Sequence, residues 1–145
     1  MPGVVVGVDG SDHSRQILEW AVKEAGLRNA SLTVITVKQV AGNPWTGTKQ
    51  VYPADQAEAD KMRQAAEEAT SKAVDAVGAP GPASVTVRAV SGIPAQELIN
   101  ASNDADLVVV GARGGGGFAR LMMGSVSNQV AHHSAAPVVV IPVGR

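Results

Sequence analysis

The sequence predicts an α/β fold: a single doubly wound, parallel five-stranded sheet with helices on both faces. Three observations carry that expectation. Five short apolar runs rich in β-branched residues recur along the chain, and segments of helical periodicity separate them. A glycine-rich turn also stands between the fourth run and the last helical segment. Strands that alternate with helices imply a parallel sheet joined by right-handed crossovers.

Val4 to Val8 is apolar throughout, as suits a central strand buried on both faces. Ile17, Leu18, Ala21, Val22 and Ala25 then recur at helical spacing, with Ser11 or Asp12 as the expected cap. Leu32 to Val37 reads as the second strand. Lys38 to Pro53 reads as irregular, because Gly42, Pro44, Gly47 and Pro53 interrupt it. Asp55 and Glu58 fit a capping box for a long alanine-rich helix running to about Val77. Gly78, Pro80, Gly81 and Pro82 stop that helix. Val85 to Val90 alternates as the third strand. Pro94 opens a shorter helix to about Ala101, at a position where proline is tolerated. Leu107 to Val110 is the fourth strand, Val126 to Ser134 the last helix, and Val138 to Ile141 the fifth strand. Gly26, Gly78 and Gly81 read as turn chemistry alone.

Length and composition bound the function. The 145 residues amount to one domain, and no repeat or linker divides residues 1–145. Net charge is −1 with no basic run, which argues against nucleic acid as a partner. The chain has no cysteine, which excludes disulfides, thiolate catalysis and Cys-ligated zinc. No apolar run approaches the ~18–20 residues of a membrane helix. The opening residues lack the basic region of a signal peptide. A cytoplasmic location is therefore expected.

The most informative segment runs from Gly111 through Gly114 to Gly124 and Ser125. A strand that ends in a glycine-rich loop feeding a helix N-terminus is suited to phosphate. Backbone N–H groups approach an anion there without a Cβ in the way, and the helix start adds unpaired donors and a positive dipole end. Ser125 would cap the helix or donate its hydroxyl to phosphate. No Gly-Lys pair exists in the chain, so a Walker A loop is excluded. The turn after the first strand, Asp9 to His13, lacks the dinucleotide fingerprint, and no acid follows the second strand at Val37 and Lys38. A receiver-type phospho-acceptor would place an aspartate at the end of the third strand, where Val90 and Ser91 stand. Ser125, His132 and Asp9 could be drawn as a hydrolase triad, but no Gly-x-Ser-x-Gly elbow supports it.

The chain resembles the universal stress protein family along essentially its whole length. The resemblance rests on Val4 to Ser11, the second strand ending at Val37, Ser91 to Pro94, and Asp104 to Asp106 leading to Val110 and Gly111. Its most specific part is Gly-x2-Gly-x9-Gly-Ser, the motif of the family's ATP-binding branch, matched at Gly111, Gly114, Gly124 and Ser125. The resemblance implies a sheet of order 3-2-1-4-5, whose direction reverses between the first and fourth strands. Ligands sit outside the carboxyl ends of strands at such a switch point. It further implies an ATP-binding stress-response regulator working through conformation or oligomerisation, with Mg²⁺ or Mn²⁺ beside the phosphates. Slow hydrolysis, or binding of AMP or a cyclic nucleotide, stands as the alternative.

On that reading Asp9 holds ribose or a metal-bound phosphate, with Gly10 and Ser11 shaping its turn. The Val37 backbone would read the adenine edge. Gly111, Gly114, Gly124, Ser125, Val126 and Ser127 would cradle phosphates, with Arg113 and Arg120 pairing their charge and the side chains of Ser127 and Asn128 adding bonds. Trp45 and Tyr52 would pin the segment after the second strand, and Met122 and Met123 would pack the loop. His132 and His133 are adjacent, a poor metal pair, and suit a helix C-terminus. His13 reads as a capping or surface residue. No metal site or catalytic residue is expected. Val138 to Ile141 would be an apolar sheet edge left uncovered by the chain ending at Arg145, inviting a homodimer through strand five.

Overall fold

The computed structural model describes residues 3–39, 53–112 and 124–142. The elements alternate as expected: β1 (Val4–Val8), α1 (Ser14–Arg28), β2 (Ser31–Gln39), α2 (Pro53–Val77), β3 (Ser84–Gly92), α3 (Pro94–Ser102), β4 (Leu107–Gly111), α4 (Ser125–His133) and β5 (Val138–Ile141). All strand pairs are parallel, and the order is β3-β2-β1-β4-β5.

The runs of β1 and β4 lack a polar alternation because both faces of the sheet are covered there, whereas β3, at the edge and largely exposed, keeps one. Val4 and Val6 of β1 point to one side, with Leu32, Val34, Leu107 and Val109, and pack on Ile17, Leu18, Ala21 and Val22 of α1 and Ala73 of α2. Val5 points to the other side, with Ile35, Val108 and Val110, and packs on Ala95 and Leu98 of α3 and Val130 of α4. This period of two divides one valine run between two cores.

Several boundaries differ from the expected ones, each for a local reason. Neither Ser11 nor Asp12 caps α1: the helix starts at Ser14 with His13 at the N-cap and no side-chain capping bond. The turn before it is closed instead by the Ser14 N–H on the Ser11 carbonyl, at 3.0 Å. At the other end Asn29 adopts a left-handed conformation (φ 51°), and the Asn29 and Ala30 N–H groups satisfy Gly26 and Ala25 carbonyls. α2 begins at Pro53, so Asp55 stands inside its first turn rather than at a capping box. Glu58 pairs with Lys38 at the end of β2. β2 and β3 exceed their apolar runs because their ladder continues to Lys38↔Ser91 and Gln39↔Gly92. The remainder of the stretch expected to be irregular, residues 40–52 with Trp45 and Tyr52, lies outside the described residues.

Candidate functional site: the switch-point crevice

β1 pairs with β2 on one side and β4 on the other, so the chain leaves the sheet in opposite directions at the β1–β4 junction. A crevice of about 210 Å³ opens there at the carboxyl ends of the strands. Its walls are apolar: Ile35 and Val37 of β2, Val110 of β4, and Pro94 and Leu98 of α3. Asp9, Gly111, Val126 and Ser127 line it as well. β1 ends at Val8 opposite Thr36, so Val37 continues beside β3 alone.

The Asp9 carboxylate organises the turn after β1. Its Oδ1 accepts from the Ser11 N–H (3.0 Å) and the Ser14 hydroxyl (3.2 Å). Gly10 sits between at φ 81°, a left-handed conformation in which a Cβ would be strained. Gly10 and Ser11 themselves line a second cleft on the far side of Asp9, not this crevice.

The start of α4 faces the crevice from the other bank. Gly124 is its N-cap, extended at φ −67° and ψ 162°, with no side-chain capping bond. Of the two roles expected for Ser125, the cap is not taken: it is the first helical residue and is exposed. The N–H groups of Ser125, Val126 and Ser127 fall in the first turn, where no intrahelical acceptor exists. The first regular bond is Asn128 N–H to the Gly124 carbonyl at 2.9 Å.

The Ser127 hydroxyl, expected on a ligand, is engaged elsewhere. It is buried and lies 3.0 Å from the carbonyl oxygens of both Ala112 and Gly124. The Gly124 N–H also donates to the Ala112 carbonyl. Together these bonds tie Ala112 to the start of α4. Arg113, Gly114, Arg120, Met122 and Met123 lie outside the described residues. Gly111 has a packing reason for lacking a side chain: a Cβ would stand 2.6 Å from Ile17 Cδ1 and 3.2 Å from the His13 ring.

His13 is neither cap by side chain nor loose surface residue. Its Nε2 lies 3.3 Å from the Ile141 carbonyl, which also accepts the Ala112 N–H at 2.8 Å. The start of α1, the end of β4 and the edge strand thus meet at one carbonyl. His132 and His133 are exposed at the end of α4 with ring centroids 6.4 Å apart. No cluster of three or more His, Cys, Asp or Glu residues suited to a metal occurs among the described residues.

Sequence reasoning overlooked Ile17, Ile35, Pro94, Leu98 and Val110 as crevice residues. The alternation that places Val37 toward the crevice places Ile35 beside it, and Pro94 and Leu98 share a helix face at i, i+4. Those signals were present, but apolar residues at such positions read as core.

The sequence model of the universal stress protein family matches residues 2–142. The chain belongs to the universal stress protein family. Among curated relatives, universal stress protein Rv2005c of Mycobacterium tuberculosis is 37% identical over 141 residues, covering 96% of this chain and 47% of the relative. The chain thus spans about half the length of the curated relatives it matches. Among solved structures, UspA from Lactobacillus plantarum superimposes with a TM-score of 0.72 at 24% identity, covering 97% of each chain. A universal stress protein crystallised in complex with cAMP superimposes with a TM-score of 0.69 at 30% identity, covering 99% of this chain and 98% of that one. No described helix is long and apolar enough to cross a membrane.

Proposed function

We propose that this universal stress protein domain, residues 1–145, is a cytoplasmic regulatory module that binds ATP in the switch-point crevice and reports nucleotide state through conformation or association. The observation that carries the reading is the juxtaposition of an apolar slot with the bare N-terminus of α4. Ile35, Val37, Leu98 and Val110 suit a planar base. The open stretch of β2 at Val37 offers backbone for its polar edge. Ser125 to Ser127 present N–H donors and a positive dipole end to phosphates. The Gly111, Gly114, Gly124, Ser125 motif supports a polyphosphate. Mg²⁺ or Mn²⁺ would accompany the phosphates, which supply the hard oxygen ligands such cations prefer. The role is binding rather than turnover: without a Walker lysine, hydrolysis would be slow.

The similarity to the cAMP-bound relative favours a second reading, in which the ligand is a cyclic nucleotide or AMP. Calorimetric titration with ATP, AMP and cAMP separates the two. ATP is expected to bind tightest, and cAMP binding tighter than ATP would replace the first reading with the second. If Asp9 holds ribose or metal, Asp9→Ala weakens ATP binding by about 1–3 kcal/mol, the scale of a hydrogen bond to a charged group. An unchanged affinity alongside a lowered melting temperature would assign Asp9 to the turn alone.

Association would run through β5. The sheet order leaves its outer side without a strand among the described residues, and Val138 to Ile141 are apolar. A two-fold partner pairing antiparallel along this edge closes it. Light scattering is expected to give a dimer, twice the 14.7 kDa chain mass. Val140→Lys should shift it to monomer, and a dimer indifferent to that charge would place the contact elsewhere.

A further inference from the structure

On the far side of the Asp9 turn, the face of the sheet that carries α1 and α2 holds a larger cleft, about 810 Å³. That volume lies within the ~300–1,000 Å³ typical of small-molecule sites. Val8 and Thr36, opposite each other in the β1–β2 register, form its floor. Leu18 of α1 and Met62, Ala65 and Ala69 of α2 form its walls.

Thr36 sets the cleft apart from a simple packing defect. Five polar residues are buried among the described residues: Ser14, Thr36, Thr70, Ser102 and Ser127. Four have hydrogen-bond partners. Ser14 donates to Asp9, Thr70 to the Ala66 carbonyl, Ser102 to the Ile99 carbonyl, and Ser127 to Ala112 and Gly124. Thr36 is only 4% exposed, lines the cleft, and has no partner for its hydroxyl among the described residues. An unpaired buried hydroxyl is unfavourable, and native structures rarely leave one without a ligand or water.

We propose that this cleft is a second ligand site, for an uncharged, mostly apolar small molecule whose single hydrogen-bond acceptor meets the Thr36 hydroxyl. The apolar walls set the body of the ligand. The lining argues against an ion, because Asp9, Asp12 and Glu68 stand there with Arg15 and Lys72, and the opposite charges largely offset one another. The site is distinct from the nucleotide crevice, which lies on the other side of Val8 and Asp9, and it stands whether or not that crevice takes ATP.

Nile red, an uncharged dye with a ring carbonyl, probes the cleft in the full chain by fluorescence titration. Saturable binding is expected. Thr36→Val keeps the shape and removes the donor, so affinity should fall about three- to tenfold, the worth of one hydrogen bond. Its melting temperature should hold or rise, since an unpaired group has been removed. Ala65→Trp, at an exposed helical position on the wall, should block the dye while leaving the far-UV circular dichroism spectrum unchanged. Excess ATP should not displace it. Absence of saturable binding would mean that the cleft holds only water and overturns the proposal. Equal binding by the two variants and the unaltered chain, displacement by ATP, or a lowered melting temperature in Thr36→Val overturns it as well.

Discussion

Gly124→Asp is expected to abolish ATP binding while leaving the fold as stable as before. The two halves of this expectation have separate causes. Gly124 is the N-cap of α4 at φ −67° and ψ 162°, a conformation open to any residue. Aspartate is among the best N-caps, so its carboxylate would accept from the first-turn N–H groups and stabilise the helix by a few tenths of a kcal/mol over glycine. Those same N–H groups are the donors assigned to phosphate. The substitution therefore occupies the anion site with a built-in anion and adds like-charge repulsion. Charged hydrogen bonds contribute about 1.5–3 kcal/mol each, so the loss of one amounts to about ten- to a hundredfold in affinity, and the loss of two to about a hundredfold or more. Calorimetry paired with thermal unfolding reads both quantities on one sample. Gly124→Ser, a neutral cap, should retain much more of the binding. Full ATP affinity in a folded Gly124→Asp protein would move the phosphates away from α4.

The same helix start shows how far the sequence carried the site. The strand-to-helix context of Gly111 and Gly124 was legible, because glycine and helix periodicity act locally. So was the placement of Asp9, which follows from its position at the end of a buried strand. The roles of the serines were not. Ser125 and Ser127 are two residues apart in one turn, and periodicity cannot say which faces water. The fold turns Ser127 onto the Ala112 and Gly124 carbonyls, and leaves Ser125 exposed. His13 shows the limit more sharply: its partner, the Ile141 carbonyl, is 128 residues away, and only the β4–β5 ladder brings it near.

The sheet was readable for a different reason. Its order was implied by family resemblance, while the split of each valine run between two cores follows from strand geometry alone. Strand lengths were underestimated because the β2–β3 ladder is held by backbone bonds that polar residues make as well as apolar ones. The caps of α1 were missed at both ends. Asn29 carried a recognisable signal, since asparagine tolerates the left-handed conformation. Asp9 takes the Ser11 N–H two residues on, a turn that aspartate favours and that spacing anticipates, and adds the Ser14 hydroxyl, which spacing does not.

Gly26, read from the sequence as ordinary turn chemistry, should prove among the least replaceable residues of the scaffold. It lies inside α1, not in a turn, and is buried. In an exposed helix, alanine would gain about 1 kcal/mol over glycine. Here a Cβ would run into the backbone carbonyl of Pro80 and stand 3.0 Å from its carbon. The obstacle is main chain in the segment joining α2 to β3, and the Gly26 carbonyl is also committed to the Asn29 N–H at 3.1 Å. Neither side yields without moving an element. Gly7 offers the contrast, because there a Cβ would meet only side-chain atoms, Leu98 Cδ1 at 2.7 Å and Cδ2 at 3.0 Å, and Leu98 borders the open crevice rather than main chain. Gly26→Ala is therefore expected to destabilise by about 2–3 kcal/mol, at the upper end of overpacking and beyond its helix-propensity gain. Gly7→Ala should lose less than half as much. Urea unfolding of the two variants side by side measures the difference. A Gly26→Ala protein as stable as the parent would mean that the 78–82 turn rides freely over α1, and that the close approach of the two is not needed by the fold.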